Sequence, residues 1–188
     1  MNLPVWIDRE GNARRPAICS PCRRATYTCS TPLARTLLES TIPARLAHLA
    51  RDGTPRITPT WFHWTGSELV MPTFITAPHV ALPARRLRDL AAQPTVAVTI
   101  DTETQPPQAL SLRGQVVVSE QDGAVAEYAL AAHRYLGEEA AAAYLLMLDT
   151  PETRMARIAL TPTWADLVDF QRRLPDALGG IRPESEPS

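Results

Sequence analysis

Not one of the 19 basic residues in this 188-residue chain is a lysine. Schiff-base chemistry through a lysine amine is therefore excluded, and any bound anion has to be held by arginine, hydroxyl or backbone groups. An excess of charge of one sign is missing too: the formal net charge is −1, which leaves no basic field for nucleic acid. No apolar run is long enough to span a bilayer, and no charged-then-apolar leader opens the sequence. The expectation is a soluble cytoplasmic protein with no membrane partner. Cysteine is scarce, at three residues. Cys19 and Cys22 stand at C-x-x-C spacing and Cys29 follows, but tetrahedral zinc needs four ligands, and no second pair follows at finger distance. A redox pair would need a strand before it and a helix after it, and neither is evident. His48, His63, His79 and His133 are not at ligand spacing to one another and read as surface or partly buried residues, so no metal is expected. No internal repeat is present, and neither is a Ser-His-Asp or Cys-His arrangement.

What is present suffices for one domain with a real core, since 45% of the residues are hydrophobic. Residues 1–32 hold scattered prolines and two arginine pairs with no lasting period. They read as a disordered extension that the domain does not need, and 179–188 as a flexible tail. Between them, over 33–178, lies the folded unit. A weak amphipathic helix is predicted over Leu33–Glu39 and a strand over Ile42–Ala50. The turn at Asp52-Gly53 leads into a second strand, and the turn at Thr65-Gly66 into a third, Glu68–Phe74, which together make a three-stranded antiparallel meander. A short helix, Ala84–Ala92, ends before Pro94. Strands follow at Thr95–Ile100 and Ala109–Glu120, the latter with Gly114 as a bulge or point of close approach. Two helices, Gly123–Leu136 and Glu138–Leu148, flank Gly137, and a sixth strand covers Met155–Thr161 with a continuation at Leu167–Phe170. Six antiparallel strands with short helices imply a mainly β, α+β fold, a closed or half-closed barrel.

Two stretches carry chemistry. In Arg56-Ile57-Thr58-Pro59-Thr60-Trp61, strand alternation puts Arg56, Thr58 and Thr60 on one face and Ile57, Pro59 and Trp61 on the other. Pro59 removes a ladder donor, so this strand belongs at an edge, at a bulge, or where something other than a strand meets the backbone. Alone, the stretch reads as a solvated edge strand. The second stretch is Arg85-Arg86 at a helix start, where guanidinium forks and backbone N–H groups favour an anion. Alone, it reads as a charged face with Asp89 as partner. Together, a phosphate at Arg85-Arg86 and a planar polar head against Arg56–Trp61 have the shape of a nucleotide-like cofactor.

In this order and spacing, residues from about 40 to 172 resemble the pyridoxamine 5′-phosphate oxidase-like family of split-barrel flavoproteins. Arg56 to Trp61 stand where that family runs a strand beside the flavin. Pro72-Thr73 match a Tyr-Thr pair that contacts the cofactor, with Thr73 conforming. Arg85-Arg86 before Gln93-Pro94 keep the spacing of an Arg-Lys pair that binds the FMN phosphate, and Gln108 before Gly114 lies one residue from a family glutamine. The resemblance implies a six-stranded split β-barrel, an oxidoreductase that binds FMN or, in some branches, a deazaflavin, and a homodimer with each flavin touched by both subunits. It also implies a small-molecule substrate; a non-catalytic flavin-binding module would use the same residues. The loop from Ile75 to Pro83 is longer than in the oxidases proper. After Asp169-Phe170-Gln171 comes Arg172-Arg173-Leu174-Pro175, without the histidine that grips pyridoxal phosphate, so pyridoxamine phosphate is not the expected substrate. Leu167, Val168 and Phe170 are the apolar candidates for the dimer interface.

Overall fold

The protein is described by a computed structural model over residues 6–7, 13–14, 20–82 and 84–170. Strands β1 (Trp6–Ile7) and β2 (Ala13–Arg14) pair as a short antiparallel ribbon. Helices α1 (Ser20–Ser30) and α2 (Pro32–Glu39) follow. The main sheet is built from β3 (Ala44–Leu49), β4 (Pro55–Thr60), β5 (His63–Trp64), β6 (Leu69–Thr76), β7 (Thr95–Asp101), β8 (Gln108–Asp122) and β9 (Arg154–Asp169). Helix α3 (Arg86–Ala92) precedes β7, and α4 (Ala126–Leu136) and α5 (Glu138–Leu148) lie between β8 and β9.

The seven strands are ordered β4-β3-β7-β8-β9-β6-β5, and every pairing is antiparallel. Its two outer strands, β4 and β5, are consecutive in the chain and joined only by Trp61 and Phe62. Three peptide steps reach at most about 11 Å, so the sheet has to curl until its edges meet at that end. The result is a split barrel, closed by the chain and not by a ladder. The expected meander is corrected here. β3 and β4 do pair through the turn at Gly53, whose φ of 79° suits a residue without a Cβ. The third strand, β6, sits at the opposite end of the sheet order. Phe62 explains the jump: its side chain is fully buried in the core, so the chain turns inward at that point and pairs with nothing. The turn at Thr65-Gly66 instead joins β6 to the short β5, which raises the expected six strands to seven.

β8 and β9 pair over nearly their whole lengths and form the spine of the sheet. The predicted sixth strand and its continuation are one strand of 16 residues. Leu110, Leu112 and Val116 of β8 alternate inward with Ile158 and Leu160 of β9, and they join Leu46, Leu69, Met71, Val98 and Ile100 in the barrel core. A second cluster lies under α4 and α5, where Val125, Tyr128, Leu148 and Met155 pack with Trp61, Phe74 and Tyr144. β6 and β9 are therefore covered on both faces, which is why residues 69–73 are all buried. Arg134 of α4 fastens this flank: it donates to the carbonyls of Leu38 (3.1 Å) and Phe62, and its guanidinium lies over the Phe62 ring.

The expectation of an unstructured extension over 1–32 is corrected for its last third. Residues 20–30 are helical, and Ala25 and Cys29 are buried in the barrel core. The signal was faint because only two small residues, one turn apart, carry the contact. Cys29 packs as a small hydrophobe. Burial pushes its thiol up to about 11, which keeps it protonated at neutral pH. Cys19 and residues 171–188 lie outside the described residues. Deleting residues 1–32 should uncover the core beneath α1 at a cost of about 2 kcal/mol. For a chain of this size that lowers the melting temperature by about 4–8 °C; an unchanged melt would show that α1 contributes nothing.

Candidate functional site

Among the described residues β4 pairs on one side only, with β3, and Pro59 stands opposite Arg45. Pro59 thus occupies the sheet edge its missing N–H required. The register sets Arg56 opposite His48, Thr58 opposite Leu46 and Thr60 opposite Ala44. Leu46 and Ala44 are fully buried, so the guanidinium-and-hydroxyl face of β4 turns toward the interior of the curl. Ile57 and Pro59 take the outer face and are exposed.

The β3–β4 hairpin and α3 together enclose a cleft of about 480 Å³. Arg56, Ile57 and Thr58 line it from the hairpin, and Arg85, just before α3, and Arg86, its first residue, line it from the other side. Five of the expected site residues, 29 positions apart in the chain between Arg56 and Arg85, are thereby brought together. Arg51 and Arg88 complete a set of five arginines, against the two carboxylates Asp52 and Asp89. Of the five, only Arg56 has an ion-pair partner among the described residues, Asp52 at 3.7 Å. Elsewhere among the described residues Arg45 pairs with Asp101, Arg154 with Glu120 and Asp122, and Arg157 with Glu68 and Glu127, while Arg113 lies over the Trp164 ring and Arg134 bonds backbone carbonyls. The cleft gathers four arginines that have no ion-pair partner among the described residues.

Arg86 is the most constrained of the five. It is partly buried, one terminal nitrogen donates to Thr73 Oγ1, and its buried Nε has no partner among the described residues. Burial lowers its pKa from the ordinary arginine value, yet a guanidinium keeps its proton in proteins. A charged, half-satisfied fork held in place by Thr73 is an anion receptor by its chemistry. Thr73, on β6, reaches it across the barrel end and is itself buried. The expected helix-terminus contribution is smaller. α3 has only seven residues, and the N–H groups of Leu87 and Arg88 already donate to the carbonyls of Ala84 and Arg85. An anion held here would be met by the side chains and not by the helix end.

The remaining expected residues lie outside the lining of the cleft. Thr60 is buried, with its hydroxyl donating to the Trp61 carbonyl at 3.2 Å. Trp61 stacks on Tyr135 of α4, with ring centres 4.8 Å apart and planes 4° from parallel. It packs into the second cluster beside Tyr128 and Phe74. Gln108 opens β8 and donates to Asp169 at 3.2 Å. It adjoins the Ala109–Asp101 pair, at the far end of β7 from the residues beside His48. Leu167 packs against the protomer's own core, while Phe170 is exposed. Sequence reading passed over His48, Arg51 and Arg88, which line the cleft; only the Arg56–His48 register, once a hairpin was accepted, pointed to His48.

A family model described as pyridoxamine 5′-phosphate oxidase matches residues 30–168. Among solved structures, a protein titled F420 reductase is similar at 25% identity with a TM-score of 0.54, over 70% of this chain and 94% of that one. A conserved hypothetical protein from Mycobacterium tuberculosis is similar at 15% identity with a TM-score of 0.56, over 84% of this chain and 93% of that one. No curated protein matches the chain in sequence.

Proposed function

This chain belongs to the pyridoxamine 5′-phosphate oxidase family over residues 30–168, and from that premise we propose that it is an oxidoreductase whose flavin, FMN, is held by its phosphate in the arginine cleft. The observation that carries this reading is Arg86: a half-buried guanidinium, aligned by Thr73, in a cleft whose other arginines mostly have no ion-pair partner among the described residues. Such a set meets a phosphate with charge-assisted bonds. When bound, the flavin supplies the redox chemistry, exchanging a hydride with a small-molecule substrate.

The chain's own residues bind and orient. Arg86 and Arg85 neutralise the phosphate, and Thr73 fixes the Arg86 fork. Arg56, Ile57, Thr58, Pro59 and Thr60 present an open strand edge to the polar part of the cofactor, because no further strand among the described residues pairs with β4. Trp61, braced by Tyr135, closes the end of that strand. Gln108 is separated from the cleft by the length of β7, so it meets a cofactor there only from a second copy of the chain. The proposal is accordingly a cytoplasmic homodimer, with Phe170 among the apolar side chains available for the interface. Among the described residues no helix is long and apolar enough to cross a membrane.

A second reading has the deazaflavin F420 in the same cleft. It is favoured by the 25% identity to a protein titled F420 reductase across 94% of that protein's length. One experiment separates the two and tests the whole. The protein is purified, its bound chromophore identified by absorption and mass, and the loaded sample diluted in light scattering. A yellow, phosphate-bearing isoalloxazine on a particle of twice the chain mass is expected. A protein that takes up neither FMN nor the deazaflavin would remove the proposal. Turnover with a nicotinamide reductant and a panel of quinone and enone acceptors then distinguishes an enzyme from a flavin-binding module.

A further inference from the structure

A second recess shares no lining residue with the arginine cleft. It measures about 410 Å³. That lies within the roughly 300–1,000 Å³ of small-molecule pockets and far above the water-sized voids that a packed interior leaves. Its floor is apolar: Ala25 and Cys29 come from α1, Trp64 from β5 and Pro162 from β9. Ala25, Cys29 and Pro162 are buried, and Trp64 is half-buried, packed against the barrel core. Burial pushes the Cys29 thiol up to about 11, so the floor carries no charge at neutral pH. The wall that α1 supplies lies almost wholly outside the family match, which begins at residue 30 while α1 spans Ser20–Ser30. The site of that wall is therefore separate from the one the family resemblance concerns.

Two opposite charges stand on the rim. Arg35 and Glu39 both line the recess, one turn apart on α2, and both are exposed. Four-residue spacing puts them on one face, but an arginine N-terminal to its glutamate is the less favourable order for a pair. Neither has an ion-pair partner among the described residues. We propose that this recess binds a free α-amino acid with an aromatic side chain. The ring lies on the apolar floor against the Trp64 indole. The carboxylate meets the Arg35 guanidinium and the ammonium meets the Glu39 carboxylate. A zwitterion compensates both rim charges at once, whereas a ligand with one charge compensates one and is repelled by the other. Burial of the ring supplies the affinity, and the solvent-exposed rim supplies discrimination of modest size. The inference goes beyond the flavin reading and does not rest on it.

The test titrates three probes with the same ring into the full chain: L-phenylalanine, 3-phenylpropionate, which lacks the ammonium, and phenethylamine, which lacks the carboxylate. Binding is followed by NMR on the Trp64 indole N–H, assigned by its loss in Trp64→Phe. L-phenylalanine should shift that signal saturably and bind about fivefold more tightly than either singly charged probe, the upper end for solvent-exposed ion pairs. Arg35→Gln should bring L-phenylalanine down to the affinity of phenethylamine, and Glu39→Gln to that of 3-phenylpropionate. Both side chains are exposed, so neither change threatens the fold. Ser30→Phe, from an exposed position on the lining, fills the recess with a ring and should abolish the response to all three probes, with a thermal melt to confirm folding. Arg86→Met, in the other cleft, should change none of these affinities. No saturable shift of the Trp64 signal by any probe overturns the site, and so does a response that survives Ser30→Phe. Equal affinity for the three probes overturns the assignment of a zwitterion. None of these results bears on FMN uptake, which tests the arginine cleft alone.

Discussion

Arg86→Met is expected to weaken FMN binding by about ten- to a hundredfold, the equivalent of 1.5–3 kcal/mol for one charge-assisted bond. Methionine keeps the stem and much of the volume of the side chain while removing the fork. The melting temperature of the cofactor-free protein should hardly move, because among the described residues Arg86 makes no ion pair and one side-chain hydrogen bond, to Thr73. The stabilisation that added FMN gives the wild type should shrink in proportion to the lost affinity. Arg86→Lys should fall between the two: it keeps the charge, but a single ammonium cannot engage Thr73 and a phosphate in the geometry of a planar fork. Fluorescence quenching of FMN across a titration reads all three proteins. Equal affinity in wild type and Arg86→Met would take Arg86 out of the site and leave the cleft without its best-placed cation.

The largest effect on stability is expected at Gly114. A Cβ built there would stand 2.6 Å from the Thr161 carbonyl oxygen and 2.9 Å from Leu160 Cδ1. The first of these is backbone and cannot swing away. The position coincides with the register slip between β8 and β9, where Arg113 faces Trp164 and Gly114 faces Pro162, so that Thr163 is left over. The extra residue brings the β9 backbone over Gly114, and only a residue without a side chain fits beneath it. Gly114→Ala should cost about 1–3 kcal/mol by overpacking, a fall of roughly 2–4 °C in melting temperature per kcal/mol at this size. Gly114→Val should cost more. Calorimetry on cofactor-free protein decides it, and an alanine variant with an unchanged melt would refute the close approach. Taken with the first result, this separates a residue that holds the ligand from one that holds the sheet.

Much of this protein follows from the order of its residues alone. Alternation and turns are local properties, so the paired β3–β4 hairpin, the long β8, the helices on either side of Gly137 and the close approach at Gly114 were legible. So were the edge position of Pro59, because a missing donor is a fact about one residue, and the grouping of Arg56 with Arg85 and Arg86, through the family resemblance. Tertiary structure alone decided the rest. The position of β6 at the far side of the sheet depends on where Phe62 finds its core, which no window around residue 62 contains. Residues 20–30 became a helix because a surface elsewhere accepts Ala25 and Cys29; two small side chains are too weak a stripe to announce it. Trp61, at the end of the strand expected beside the cofactor, acquired a stacking partner 74 residues further along, in Tyr135. His48 came to line the cleft only when strand register set it opposite Arg56 and packing brought Asp89 to 3.6 Å from one of its ring nitrogens. Charge compensation is a property of three-dimensional neighbourhoods: the sequence holds 19 arginines, and the fold decides which five of them meet in one cleft.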